Sequence, residues 1–269
     1  MLPRAWLPVP ILLVLALPAR AQSAADARWV SECRERGDDW RAKHCEVRVV
    51  TLVPGGTIAV DPGQNGGVAV SGWDGGSIEV HARIQAEGAT EDEAASLARE
   101  IKVVTAGTTI GATGPASGAR HSWGVSFVLY VPRRSDLKLD TYNGPIGVRD
   151  VIGRMTLTAY NGPVSLEGVG GDVHARTTNG PLDIDLTGSH WEGAGLDAET
   201  TNGPVNLGIP ADYSARLELG TVNGPFSVAF PLTITVQGKL GRRITTTLGA
   251  GGAPVRVVTT NGPVEIRRN

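Results

Sequence analysis

The fold is decided by the stretch LKLDTYNGPIGV, residues 137–148, because its central tripeptide Asn-Gly-Pro recurs five more times before the chain ends. Successive copies begin 18, 18, 23, 21 and 38 residues apart. A period near 20 residues is typical of stacked supersecondary units, none of which can bury its apolar face alone. The corner residues of the six copies are Asn143, Gly144, Pro145, Asn161, Gly162, Pro163, Asn179, Gly180, Pro181, Asn202, Gly203, Pro204, Asn223, Gly224, Pro225, Asn261, Gly262 and Pro263.

Apolar and polar side chains alternate on both sides of each tripeptide. In the first copy, Leu137 and Leu139 precede it, and Ile146 and Val148 follow it. A period of two indicates strands with one buried face, so each repeat is predicted to be a strand, a corner and a second strand. Proline lacks an N–H group and fits a corner outside the sheets. Asparagine and glycine are expected there because they tolerate positive φ.

Repeats of this length with matching inward columns favour coils stacked in register over hairpins that join antiparallel neighbours. We therefore expect an all-β fold in which residues 137–269 form a parallel β-helix, or solenoid, six coils deep. Its predicted hand is right, as in nearly all parallel crossovers. Stacking of the third copy on the fourth would place His174 opposite Asp197 and Arg176 opposite Glu199 on the outer wall.

Residues 1–21 have the features of a secretory signal peptide. Arg4 precedes an apolar run from Val9 to Leu17, and Ala19-Arg20-Ala21 provides a cleavage site. We therefore expect export to the periplasm, the cell surface or the medium. The rest of the chain has no run of 18 apolar residues, which predicts that the mature chain has no transmembrane segment.

The charge balance argues against nucleic acid as a partner. Cleavage removes two of the 25 basic side chains and leaves 27 acidic ones, so the mature chain has a net charge of −4. Such a modest acidic balance is the opposite of the basic surface that nucleic acid attracts.

The two cysteines of the chain, Cys33 and Cys45, lie in an N-terminal segment, residues 22–45. An even pair in an exported protein predicts a disulfide. The alternative is a metal site made of both cysteines and His44. The spacing of adjacent ligands is poor for a metal, and no fourth ligand is evident.

Residues 46–136 are predicted to form a strand-rich N-terminal β region with one short covering helix. The helix is expected from Glu91 to Lys102, since Thr90 and Glu93 form a capping box. Residues 107–118 are expected to form a loop. The candidate strands are Glu46–Val53, Thr57–Val60, Gly67–Gly72, Ser77–Gln85 and Trp123–Val131.

The irregular repeat at residues 226–260 separates the last two copies of the tripeptide. Candidate strands lie at Leu232–Gln237 and Ile244–Leu248. Two structures are open for this segment, a hairpin insertion and a complete coil without its corner sequence.

No catalytic residue, metal ligand or cofactor is predicted. The residues considered for surface binding are Trp191, Asp183, Asp185, Asp197 and Glu199. Trp191 belongs to a loop, residues 188–193, that is expected to protrude. The four acidic residues lie at similar levels of the stack and are candidates for a Ca²⁺ or acid/base cluster, although outward positions of alternating strands are commonly acidic.

Several features together resemble a family of exported bacterial β-strand-repeat proteins of unknown function, usually labelled "putative adhesin". They are the sequence CEVR from Cys45, the helix with an acidic start, VPRRSDL from Val131, the Thr-Asn-Gly repeats, and the stretch from Gly251 to Gly262. The resemblance implies a parallel β-helix-like fold in the cell envelope or outside the cell. It brings no agreed catalytic residues.

Three functions are compatible with this sequence. The first is a non-enzymatic adhesin or cell-envelope scaffold that acts through its solenoid surface. The second is a β-helix lyase or hydrolase acting on a polysaccharide, which needs carboxylates that converge in a groove. The third is a periplasmic envelope-stress or assembly partner. The binding partner expected from these functions is a glycan or an envelope protein.

Overall fold

The computed structural model describes residues 18–35, 41–118, 121–228 and 243–269. The described helices are α1 (Pro18–Glu35) and α2 (Glu91–Glu100). The strands before residue 137 are β1 (Ala42–Leu52), β2 (Ile58–Asp61), β3 (Val68–Trp73), β4 (Ile78–Gly88), β5 (Lys102–Ala106), β6 (Thr109–Thr113) and β7 (Ser122–Pro132). The later strands are β8 (Leu137–Asn143), β9 (Ile146–Arg149), β10 (Ile152–Asn161), β11 (Val164–Glu167), β12 (Gly170–Asn179), β13 (Leu182–Asp185), β14 (Gly195–Asn202), β15 (Val205–Ile209), β16 (Ala215–Asn223), β17 (Phe226–Val228), β18 (Arg243–Leu248), β19 (Pro254–Asn261) and β20 (Val264–Arg268).

The strands form two sheets that face each other across the core. Sheet A has the order β1-β4-β7-β3-β9-β11-β13-β15-β20-β17, and sheet B has the order β18-β16-β19-β14-β12-β10-β8-β2-β6-β5. Each repeat contributes the strand before its corner to sheet B and the strand after it to sheet A. The two strands joined by a corner therefore lie in different sheets, which rules out hairpins at the corners.

Neighbouring coils are parallel and in register, which confirms the predicted parallel β-solenoid. In sheet B, β10 pairs with β8 and β12 so that Asn161 lies opposite both Asn143 and Asn179. The expected alignment of His174 with Asp197 and of Arg176 with Glu199 is also present.

The core fills the space between the sheets. The inward columns, represented by Leu139, Ile146, Leu157 and Val164, are at most 1% exposed. Burying one large aliphatic side chain contributes about 1.5–3 kcal/mol, so the repeated columns provide the main driving force for stacking.

The coils do not stack in chain order. Strand β19 pairs with both β14 and β16, so the last repeat is inserted between the fourth and the fifth. Stacking in chain order would bring Asp197 next to Glu218 on the outer wall, and like charges on adjacent strands destabilise a sheet. The observed order places Arg256 between them, with its Nη1 2.5 Å from an Asp197 oxygen and its Nε 3.7 Å from a Glu218 oxygen.

A seventh coil precedes the six predicted ones. It consists of β2, the turn at Asn65 and Gly66, and β3, and it pairs in parallel with the strands of the Asn143 coil. Its corner lacks proline, so the sequence signature did not reveal it. Both sheets therefore continue without a break across the predicted boundary at residue 137.

The other N-terminal strands extend each sheet: β7 joins β3 and β6 joins β2 in parallel, and beyond them β1-β4-β7 and β5-β6 pair antiparallel. Helix α2 begins as predicted, because the Thr90 hydroxyl accepts a hydrogen bond from the Glu93 N–H. Two expectations were wrong. The segment 107–118 contains strand β6, and the described chain has a second helix, α1, against β1.

The described part of the irregular repeat contains β17 and β18. Strand β18 pairs antiparallel with β16 and forms the outer edge of sheet B. The predicted strand Leu232–Gln237 lies outside the described residues.

Candidate functional site

Side-chain amides form a continuous ladder along the corners, which we call the asparagine ladder. Each Nδ2 donates to the Oδ1 of the asparagine in the preceding coil, and the distances are 2.8–3.2 Å. Such ladders are also found where identical strands stack in fibrils. The ladder runs through Asn65, Asn143, Asn161, Asn179, Asn202, Asn261 and Asn223.

Glycine is required at the corners by close contact and not by positive φ. The corner glycines lie outside the set of residues with positive φ, so the torsional explanation was wrong. A Cβ on Gly180 would lie 2.1 Å from the carbonyl oxygen of Gly162, and the other corner glycines meet the preceding coil at 1.9–2.2 Å. Any side chain there would push two coils apart.

Threonine hydroxyls satisfy the carbonyl groups of these glycines. Thr177 donates to the oxygen of Gly162 in the preceding coil at 2.8 Å. Ala159 occupies the equivalent position one coil earlier and has no hydroxyl. The oxygen of Gly144 instead accepts from Thr141 of its own coil at 3.0 Å. The corner is therefore a fully bonded, rigid edge of the solenoid.

Two tyrosines flank the asparagine ladder on the wall of sheet B. Tyr142 and Tyr160 each precede a corner asparagine, so register brings their rings together with centroids 4.9 Å apart and planes inclined by 5°. The two residues are 49% and 46% exposed. Sequence reasoning missed the pair, although the repeat of tyrosine at one offset in adjacent copies was a usable signal.

The tyrosines line a surface groove of 460 Å³, which we call the tyrosine groove. Thr158 and Thr178 continue it along the coils, and Asp61 and Asp140 lie at its side. Since Val60 pairs with Leu139, these two carboxylates come from adjacent coils. The groove thus combines an exposed aromatic surface with oxygen acceptors, an arrangement suited to a ligand with apolar faces and hydroxyl groups.

The four predicted acidic residues do not come together. Asp183 and Asp185 lie on the outer side of sheet A, where Asp183 accepts from Asn206 at 2.6 Å and Asp185 pairs with Arg267. Asp197 and Glu199 lie on sheet B, on the opposite side of the core. Among the described residues, no group of three or more His, Cys, Asp or Glu side chains is placed to hold a metal ion. These four residues therefore do not form the single Ca²⁺ or acid/base cluster that was considered as an alternative to ordinary outward-facing acids.

Arg256 is the central charge on the wall of sheet B. Burial lowers its pKa, but the hydrogen bond to Asp197 and the carboxylates of Glu199 and Glu218 outweigh burial and raise it. Asp197 and Glu199 also contact Arg176 of the preceding coil, so they are part of an ion-pair network that joins four coils.

Trp191 is not a surface residue. It is 5% exposed, and its Nε1–H donates to the carbonyl oxygen of Gly171 at 3.0 Å. The large apolar ring covers the core where the insertion between the third and fourth repeats would otherwise leave it open. Trp191 is therefore not available for the surface binding considered for it, whereas Gly188, Ser189 and His190 of the same loop are exposed.

The predicted disulfide between Cys33 and Cys45 is present. It connects α1 to β1. Both sulfur atoms are used in this bond, and His44 contacts Glu46 at 3.3 Å, so the alternative metal site does not form. Neither described helix has both the length and the apolar character needed to cross a membrane.

Comparison with known proteins identifies the family and little more. No curated protein is detectably similar in sequence. A crystal structure described as a "putative cell adhesion protein" from Clostridium sporogenes is 12% identical, with 84% of this chain and 100% of that chain covered and a TM-score of 0.46. A "putative adhesin" from Bacteroides fragilis is 11% identical over 83% and 97% of the two chains, with a TM-score of 0.29.

A third crystal structure, described as a "putative lipid binding protein" from Parabacteroides distasonis, is 9% identical over 83% and 97% of the chains, with a TM-score of 0.26. Likenesses this distant carry no argument about a ligand. A family model described as Toastrack DUF4097, in contrast, matches residues 74–267, which is well over half of the sequence. The chain belongs to the Toastrack DUF4097 family.

Proposed function

We propose that this protein is an exported, non-enzymatic solenoid that binds glycans on its outer wall, as an adhesin or an envelope scaffold. The observation that carries the proposal is the stacked pair Tyr142–Tyr160, since adjacent exposed aromatic rings in a surface groove form an apolar patch of the kind that marks interaction sites. The pair offers an apolar platform, and Asp61 and Asp140 offer acceptors for hydroxyl groups.

Export is supported by two features. The first is the signal-peptide pattern of residues 1–21, and the second is the disulfide, a bond that persists in oxidising compartments. We therefore place the protein in the periplasm, on the cell surface or in the medium.

A glycan array tests the proposal. The oxidised protein, secreted with its own N-terminal segment, is expected to bind a subset of neutral glycans. The double variant Tyr142→Ala/Tyr160→Ala should lose this binding at least tenfold, because it removes the platform and leaves the core columns intact. Thr201→Ala is the matched control, since Thr201 occupies the same position of a more distant coil, and it should bind like the parent.

Two results would contradict the proposal. One is an absence of glycan binding by the folded parent protein. The other is equal binding by the parent and the double tyrosine variant. Capture of an envelope protein that depends on both tyrosines, without any glycan binding, would support the assembly-partner function instead.

A further inference from the structure

Helix α1 lies against the outer face of sheet A and is held there by several contacts. Asp26 contacts Nδ1 of His81 at 2.5 Å and Nη2 of Arg83 at 3.2 Å. The guanidinium of Arg83 also lies 5.6 Å from the ring centre of Trp29. Cys33 completes the attachment through the disulfide. The helix is thus positioned by polar contacts and a covalent bond.

A pocket of 460 Å³ remains between α1, β4, β7 and the Asn65 corner, and we call it the helix pocket. Trp29 and Trp123 contribute indole surface, and Arg83, Gln85 and Ser126 contribute polar groups. Gly124 also lines the pocket, and its lack of a side chain lets β7 approach the Asn65 corner, because a Cβ there would lie 2.8 Å from the Asn65 carbonyl oxygen. The volume falls within the usual range for small-molecule sites.

Hydrogen-bonding groups in the helix pocket lack partners. The Nε of Arg83 is buried and has no hydrogen-bond partner among the described residues. The Ser126 hydroxyl oxygen accepts from the Gly67 N–H at 3.1 Å, so its own proton is available to donate. The Gln85 carbonyl oxygen has the Cys33 sulfur as a neighbour at 3.7 Å, and this disulfide sulfur carries no proton. The Arg83 Nε is closed to solvent and is not offered to a ligand, so the pocket presents one donor, the Ser126 hydroxyl, and one acceptor, the Gln85 carbonyl oxygen.

The charges at the helix pocket are already balanced. Glu87 pairs with Lys43 at 3.3 Å, and Arg83 pairs with Asp26. Burial alone would raise the pKa of Glu87, but hydrogen bonds from Ser122, Lys43 and Gln85 outweigh it and hold this pKa below its usual range. An added charged group would meet a charge of the same sign nearby, so a neutral ligand fits best.

We infer that the helix pocket binds one neutral sugar ring. Each sugar hydroxyl can both donate and accept, which suits the available groups of Ser126 and Gln85. The apolar faces of the ring suit the two indoles. The inference is independent of the tyrosine groove, because the pocket lies on sheet A and the groove on sheet B.

The test is a titration of the oxidised protein with glucose, galactose, N-acetylglucosamine and glucuronate, followed by calorimetry and tryptophan fluorescence. Saturable binding of at least one neutral sugar is expected, with glucuronate at least tenfold weaker. Ser126→Ala removes the hydroxyl donor and leaves the charges around the pocket unchanged, and it should weaken binding at least fivefold. Trp29→Ala, a change on the helix surface that leaves both sheets intact, should weaken it similarly.

Controls separate this site from the tyrosine groove. Arg154→Lys on sheet B, a position outside both sites, should bind the monosaccharide like the parent, and in Tyr142→Ala/Tyr160→Ala the sugar should still change the fluorescence of the pocket tryptophans Trp29 and Trp123. Thermal unfolding of each variant confirms that it is folded. The inference is overturned if no neutral sugar binds, if glucuronate binds best, if both pocket variants bind normally, or if binding is lost only in the tyrosine variant.

Discussion

Glycine at the Asn-Gly-Pro corners lies where the backbone of one coil comes closest to the next. Its role is set by the 1.9–2.2 Å distance that a Cβ would have from a neighbouring carbonyl oxygen. The asparagine before it belongs to a column of stacked side-chain amides, in which each interior amide donates one hydrogen bond and accepts another. A corner of this kind can be repeated along a stack, because each coil supplies hydrogen-bonding groups for the next coil.

Gly180→Ala tests this explanation. The new methyl group has to displace the Gly162 carbonyl, so we expect the free energy of unfolding to fall by about 3 kcal/mol. The matched control is Gly147→Ala on β9, where a Cβ meets no atom of the described chain within 4 Å. Urea unfolding should show a change below about 1 kcal/mol for the control. Equal effects of the two substitutions would show that close contact is not the reason for glycine.

Two glutamates at the edge of sheet A predict how stability depends on pH. Burial raises the pKa of Glu46, but hydrogen bonds from Arg48 and His44 outweigh it, and Glu87 behaves in the same way with its own partners. Both folded pKa values lie below the usual 4.5, so the stabilisation is complete above that pH and is lost as the pH falls through the folded values.

Hydrogen exchange should be measured from pH 6 to pH 3. As the pH falls, β1 at this edge should lose protection at a higher pH than the central coils do. The intrinsic pH dependence of exchange is removed by comparison with the unfolded chain. In Glu87→Gln, the additional loss of exchange protection in β1 below pH 4.5 should be smaller than in the parent. An identical pH response in the variant would refute a contribution from Glu87.

At the scale of elements, the local sequence pattern predicted the strands and helix α2. It did not predict which strands pair with one another. The alternation of apolar and polar residues around Leu139 and Ile146 is a local pattern, because adjacent residues of a strand point to opposite faces. It could therefore be recognised from the sequence alone. In the pairing of β19 with β14, Arg256 contacts two acidic residues of different repeats, Asp197 and Glu218. Stacking in chain order would have placed β16 next to β14. In the sequence, only the like charges of Asp197 and Glu218 at aligned outward positions argued against that arrangement.

Helix α1 and the first coil were missed for related reasons. The contacts that position α1 include ion pairs from Asp26 and a disulfide, and such contacts leave no periodic signal in the sequence. The first coil has Asn65-Gly66 without the proline that marks the others. The tyrosine groove was missed because its two aromatic residues become neighbours only after the coils stack.

Arg256→Met tests the charge explanation for the coil order. Removing the cation takes away the charge between Asp197 and Glu218, but Arg176 still pairs with Asp197 and Glu199, and Arg243 still pairs with Glu218. The free energy of unfolding should therefore fall by about 0.5–1 kcal/mol. Salt at about 0.5 M should reduce this loss, since it screens the repulsion. Arg154→Met is the control, because the Arg154 side chain makes no ion pair within the described part of the chain. A loss in the control equal to that in Arg256→Met would contradict the explanation.

At the scale of the whole molecule, the protein is a stiff stack whose sides differ in chemistry. Sheet B carries the ion-pair network and the tyrosine groove, and sheet A carries α1 and the helix pocket. The asparagine ladder separates these two walls along one edge. This division lets a stack with one repeating core present two surfaces of different chemistry.

The order of the coils is the central claim, and engineered disulfides measure it directly. Thr201 and Thr260 lie opposite each other on β14 and β19, whereas Val222 on β16 is one coil further away. Strands are about 4.8 Å apart, so two coils exceed the reach of a disulfide. Thr201→Cys/Thr260→Cys should therefore form a disulfide in the folded protein, and Thr201→Cys/Val222→Cys should not. The reverse result would show that the coils stack in chain order and would contradict the account.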